Sequence, residues 1–212
     1  MLKNIKLKNS TILLIGLILI LLGVSIGFIE YFNQRKDKIY SEMNISLYEY
    51  ETPENIETKE EIVEKNEIIE EEPPKPTETK YDYIGMLEIP KINLRRGFLN
   101  LDSKYNNVNY NITIINGSTF PNEKNNNLIM AAHSGICSVC FFEKLFDLSI
   151  GDKAYIDYKN TKYTYSLVNT YEVEKDGTVP IYRDYNKNVL TLITCTRYSN
   201  TKQTVFIFEL EE

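Results

Sequence analysis

Thr191-Leu192-Ile193-Thr194-Cys195 is a short strand-like run that stops at a thiol. Four to eight largely apolar residues bounded by turn residues read as a buried strand. A second such run, Leu128-Ile129-Met130-Ala131-Ala132, stops at His133, the only histidine of the chain. Two strands that each end at a reactive side chain can hold a thiol and an imidazole together on a rigid scaffold. A cysteine and a histidine far apart in sequence form a candidate nucleophile and base.

Outward from these two runs the pattern stays β. Tyr83–Ile89 reads as a first strand, limited at its end by Pro90. Ile112–Ile115 and Leu128–Ala132 follow. Ala154–Tyr158 and Tyr163–Val168 flank a hairpin turn at Lys159-Asn160-Thr161-Lys162. Thr170–Val173, Val189–Thr194 and Thr204–Leu210 complete the set. In the last, Val205 and Ile207 share one face and Phe206 and Phe208 the other, so both faces are apolar. Many short strands between Asn, Gly and Asp clusters predict an all-β sandwich or barrel. Short helices are expected near Asp102–Val108 and Phe141–Leu148. No internal repeat is visible.

The N-terminal part is different. Residues Thr11 to Ile29 are apolar and carry no charge. At about 1.5 Å per residue they span roughly 28 Å as a helix, close to a hydrocarbon core of about 30 Å. The run is longer than the apolar region of a cleaved signal, and no A-x-A cleavage pattern follows it. It is read as an uncleaved transmembrane helix, residues 11–29, that binds the lipid bilayer. Lys3, Lys6 and Lys8 precede it, and Arg35, Lys36 and Lys38 follow it. The α-amine tips this near-balance towards a cytoplasmic tail at residues 1–10 and an extracellular remainder. Tyr31 and Phe32 fall at the far interface.

The net charge of −6 is concentrated in one stretch. Residues 1–38 sum to +4, residues 39–80 to −9 and residues 81–212 to −1. The recurring glutamates from Glu60 to Glu72 lead into Pro73-Pro74-Lys75-Pro76. Such composition buries too little apolar area to offset its ordering entropy. Residues 30–80 are therefore read as a flexible acidic linker, extended by like charge and stiffened by proline, with transient helix at most over Glu57–Glu72. It serves as a stalk, or alternatively as a lid over the site. The folded domain, residues 81–212, is nearly neutral and has no basic stripe, which argues against nucleic acid as a partner. No cofactor is expected.

The T-L-x-T-C ending at Cys195 and the A-x-H ending at His133 resemble those of the sortases. So do Ile89-Pro90-Lys91-Ile92, the Leu-x-x-Gly-Asp run at Leu148–Asp152 and the single N-terminal span. These are membrane-anchored cysteine transpeptidases of bacterial surfaces. The resemblance covers roughly residues 81 to 212. It implies a closed β-barrel of about eight strands, behind one transmembrane helix and a linker. It also implies a substrate, a secreted protein with a C-terminal LPxTG-like motif, and an acceptor, an amine of cell-wall precursor. Pilus-building members carry an Asp-Pro-aromatic lid motif, which the linker lacks, so surface-protein anchoring is favoured.

By the same resemblance Cys195 is the nucleophile that forms a thioacyl-enzyme, and His133 is its proton partner. Members usually add an arginine at the start of the strand after the cysteine loop, as an oxyanion donor. Here that position holds Gln203, whose amide donates without charge. Arg197 is the second candidate, because residues two apart on an extended strand point the same way. Lys202, Arg183, Arg95 and Arg96 are weaker ones. A groove is expected between the strands around Cys195 and the connection from Glu174 to Asn188.

Cys137-Ser138-Val139-Cys140 follows His133 closely. This C-x-x-C leaves three readings open: a dithiol or disulfide beside the site, two cysteines packed in a loop wall, or a metal set with His133 and Cys195. Two competing functions follow. One is a non-catalytic peptide-binding module. The other is a metal or redox sensor built on Cys137, Cys140 and His133.

Overall fold

A computed structural model describes residues 9–50 and 81–211, with side chains in the first stretch at 16–29, 31, 42–46 and 48. The tail before residue 9 and the glutamate-rich and proline-rich parts of the linker, including Glu57–Glu72 and the place of a lid motif, lie outside the described residues. The chain divides into two compact units, Met1–Tyr40 and Ser41–Glu212.

Helix α1 spans Asn9–Tyr50. In its first part the large apolar side chains from Leu17 to Ile29 are exposed. Among the described residues no helix is long and apolar enough to cross a membrane, so the expected span is not shown. The helix also runs through residues 30–50, which the sequence reading gave to the flexible linker. The reason is visible within the second unit. Ile45 is buried in a cluster with Tyr81, Tyr83, Met86 and Leu99, and Tyr48 packs against it. Ile45 and Tyr48 lie three residues apart, on one helical face. The glutamate-rich composition that follows hid this short apolar stripe.

The second unit carries eight strands. They are β1 (Tyr83–Ile89), β2 (Leu94–Leu99), β3 (Thr113–Ile114), β4 (Asn127–Ala131), β5 (Lys153–Tyr158), β6 (Thr161–Glu174), β7 (Val189–Cys195) and β8 (Lys202–Leu210). Their order in the sheet is β2-β1-β5-β6-β8-β7-β4-β3. The β4–β7 pair is parallel. The other neighbours are antiparallel. The sheet curls until β2 and β3 approach each other. The result is a nearly closed barrel rather than the closed one expected. Asn111 stitches the seam, accepting from Arg96 Nε (2.7 Å) and donating to the Gly97 carbonyl (2.8 Å). Arg96 is thereby buried, with its guanidinium 4.4 Å from the Phe141 ring centroid. A Cβ on Gly97 would meet the Tyr83 ring at 2.3 Å, so only glycine fits there.

Strand β2 is absent from the sequence reading, because Arg95-Arg96 masks the alternation of Leu94-Arg95-Arg96-Gly97-Phe98-Leu99. The two strands expected at Tyr163–Val168 and Thr170–Val173 are one strand, β6, irregular between Leu167 and Asn169. Residues Asp102–Val108 form turns rather than a helix, and Phe141–Leu148 shrinks to a 3₁₀ turn at Glu143–Asp147. The β5–β6 hairpin closes on Lys159 and Asn160, both with positive φ (49° and 59°). That is the two-residue geometry that matches strand twist.

The two apolar faces of β8 are both used. Phe206 and Phe208 enter the barrel core with Leu87, Ile89, Phe98, Leu128, Leu190 and Leu192. Val205 and Ile207 face outward into a second cluster with Ile129, Val189 and Ile193, to which Tyr171, Val173, Val179 and Ile181 add. The β6–β7 connection therefore covers this outer face.

Candidate active site

The outer face sets the site, because side chains alternate along each strand. On β4 the row Ile129, Ala131 leads to His133. On β7 the row Thr191, Ile193 leads to Cys195, and on β8 the row Ile207, Val205 leads to Gln203. The register brings these ends together. Ala131 pairs with Ile193; two residues further on, β7 ends at Cys195 and the chain leaving β4 reaches His133. Cys195 pairs directly with Gln203. Directly opposed residues place their Cβ atoms about 4.5–5.5 Å apart on one face.

Several hydrogen bonds lock the β4 and β7 ends. Thr194 Oγ1 donates to the Ala132 carbonyl (2.8 Å), and Ser134 Oγ donates to the Cys195 carbonyl (2.7 Å). The Phe142 N–H donates to the His133 carbonyl (3.0 Å), which closes the loop after the histidine. Cys195 is a free, half-buried thiol. The His133 Nε2 lies 3.3 Å from Asn109 Oδ1. The amide of Asn109 thus holds the imidazole ring from its Nε2 side.

Gln203 is thus next to the thiol. Arg197 is not brought to it. The strand ends at Cys195, where Thr196 N–H donates to the Lys202 carbonyl (3.0 Å) and Ser199 N–H to the Thr196 carbonyl (3.2 Å). Tyr198 completes the turn at a φ of 60°. Arg197 is turned towards the 3₁₀ segment, donating to the Glu143 carbonyl (2.9 Å) and to Asp147 Oδ1 (3.3 Å). Its guanidinium also lies 5.0 Å from the Phe146 ring centroid. Alternation puts Arg197 on the face of Cys195 only while the chain stays extended, and the turn ends that extension. Of the weaker candidates, Arg96 is in the barrel seam, Lys202 pairs with Glu172 (3.1 Å), and Arg183 reaches the carbonyls of Asn125 and Asn126 (3.3 Å each).

Cys137 and Cys140 are joined in a disulfide. Neither is therefore available as a thiolate for the Cys₃His metal set. Among the described residues no cluster of His, Cys, Asp and Glu suited to a metal occurs.

The β6–β7 connection packs on the outer face that leads to the thiol. Tyr171 Oη donates to the Pro180 carbonyl (2.9 Å) and accepts from the Tyr182 N–H (2.8 Å). Burial raises this phenol above its ordinary 10.0, so it remains a protonated donor. Val179 and Ile181 are pressed onto the outer cluster by this clasp. Two site residues escaped the sequence reading. Asn109 lies in an asparagine-rich stretch that gives no signal. Lys175 Nζ donates to Cys195 Sγ at 3.7 Å. Its place, two residues after Val173 in the same alternation, was legible once β6 was known to run to Glu174.

The Sortase domain model matches residues 87–210, and the chain belongs to the sortase family. At the level of that family it is a sortase-type cysteine transpeptidase. The fold is similar to that of a sortase A lid mutant from Corynebacterium diphtheriae (TM-score 0.56, 22% identity, covering 65% of this chain and 74% of that one). It is also similar to a lid mutant of Streptococcus agalactiae sortase C1 (0.54, 22%, 61% and 70%). A third is sortase C from Clostridium perfringens SM101 (0.52, 22%, 62% and 71%). No curated protein matches the chain.

Proposed function

We propose that this protein cleaves an LPxTG-like sorting motif through a thioacyl-enzyme and transfers the acyl group to an amine of cell-wall precursor. The observation that supports the reading is the register, which pairs Cys195 at the end of β7 with Gln203 and runs β4 parallel to β7 up to the residues before His133. The Cys195 thiolate attacks the carbonyl carbon of the motif's threonine and a C–S bond forms. Gln203, opposite the thiol, donates its amide N–H to the oxygen that becomes negative. The oxyanion collapses, the C–N bond breaks, and the imidazolium of His133 gives its proton to the leaving glycine amine. The acceptor amine then attacks the thioester, gives a proton to His133, and releases Cys195 as thiolate.

The peptide lies along the outer face, between β4, β7 and the clasped β6–β7 connection. Residues 11–29 anchor the protein in the cell membrane as a single pass, with residues 1–10 cytoplasmic and the barrel extracellular. The rest of the acidic stretch is the stalk. Surface-protein anchoring is preferred over pilus polymerisation on the absent Asp-Pro-aromatic motif.

The test is product mass. Full-length protein in detergent is incubated with an LPxTG peptide and triglycine. A peptide truncated after threonine and extended by triglycine is expected, absent for Cys195→Ala and reduced at least a hundredfold for His133→Ala. Release of unextended peptide alone would make the protein a hydrolase and remove the transfer step.

A further inference from the structure

Lys175 stands where the outer row of β6 leaves the sheet. Tyr171 and Val173 occupy that row, and Lys175 is next in it by alternation. Its N–H donates to the Thr201 carbonyl (2.7 Å), which continues the β6–β8 ladder by one step and fixes the stem. From there its ammonium reaches Cys195 Sγ at 3.7 Å. The neighbouring cations are engaged elsewhere, Lys202 with Glu172 and Arg197 with Asp147. Among the described residues no carboxylate pairs with Lys175.

We infer that Lys175 is a catalytic residue, the fixed positive charge that holds the sulfur of Cys195 as the attacking thiolate. The inference rests on reading Cys195 as the nucleophile. A cation beside a cysteine favours its anionic form, since the proton leaves the sulfur and the electron pair stays on it. Here the proton goes to His133 and the ammonium is unchanged. Gln203 cannot take this role, because its amide carries no charge. The chain thus divides between two side chains what one arginine could do: charge from Lys175, a neutral hydrogen bond from Gln203.

The test compares two alkylating reagents on full-length protein in detergent at low salt. Iodoacetate is an anion and iodoacetamide is neutral, and both attack the same sulfur. A positive charge beside Sγ raises the iodoacetate rate relative to the iodoacetamide rate. For Lys175→Met this ratio is expected to fall about threefold or more, and high salt should shrink the difference. Lys175→Arg should restore it. Thioacylation by a sorting peptide should slow at least tenfold in Lys175→Met and recover in Lys175→Arg. An unchanged ratio, or an unchanged thioacylation rate, overturns the inference. Lys175→Gln serves where the methionine variant does not fold. If the unaltered protein forms no thioacyl adduct, the sorting reading fails by itself, and the reagent ratio alone decides whether Lys175 charges the thiol.

Discussion

Asn109 contacts the Nε2 of His133 and holds its ring. Replacing it by alanine removes the amide at 3.3 Å and frees the imidazole to turn. Asn109→Ala should lower transpeptidation about threefold to tenfold while leaving Cys195 alkylation by iodoacetamide unchanged. Gln203 and Arg197 make a sharper contrast. Gln203 is the register partner of Cys195, so Gln203→Ala should slow thioacylation by about 10²-fold, as for the loss of one oxyanion donor. Arg197 holds Glu143 and Asp147 instead, so Arg197→Ala should leave that rate within about threefold and lower the melting temperature slightly. Stopped-flow peptide cleavage separates the two. As candidates, Cys195 and His133 stand out because each follows an apolar run, and Gln203 because the strand after the cysteine is a strong β pattern. The path of Arg197 towards Glu143 and Asp147 was not readable, because a turn after a strand end leaves little trace in residue type, and Tyr198 at positive φ is an unusual choice for one.

At the scale of elements, most of the strands were legible from their own alternation, and their errors have local causes. Arginines on the short strand β2 hid it, since the burial of Arg96 depends on Asn111 and Phe141, which come from elsewhere in the chain. The helical segment bearing Ile45 was hidden by the acidic composition around it. That segment also lies near a charge of β5. Asp157 lies beside Tyr48, and burial holds its carboxyl above the usual 3.8; Glu88 adds to this, and Lys162 and Arg95 oppose it. A carboxylate with a raised folded value weakens the native state when charged. This cost is full at neutral pH, fades as pH falls through the raised value and is gone below about 3.8. Asp157→Asn should therefore raise the melting temperature on the order of 1–2 °C at pH 7. Thermal scans from pH 7 to pH 3 should show that difference closing. A constant difference would assign it to packing rather than charge.

At the scale of the whole molecule, the barrel puts its chemistry at one end of an outer face rather than inside. Four adjacent strands, β6, β8, β7 and β4, carry apolar rows on that face, and the rows end in or lead to Lys175, Gln203, Cys195 and His133. The parallel β4–β7 pair is what lets two distant runs finish side by side, since both point the same way. That pairing was not readable from either run alone, although the two reactive ends suggested it. The anchoring proposed for residues 11–29 predicts that alkaline carbonate leaves the full chain in the membrane fraction, and that deleting residues 1–29 releases it. The central claim, a nucleophilic Cys195 that takes an acyl group from a sorting peptide, is met most directly by intact mass. Full-length protein is mixed with an LPxTG peptide, quenched in acid and weighed. The account predicts a mass gain equal to the acylated fragment, absent in Cys195→Ala and discharged by triglycine. A protein that alkylates normally at Cys195 yet gains no mass with any of a varied set of sorting peptides would contradict it, and would leave a peptide-binding module in its place.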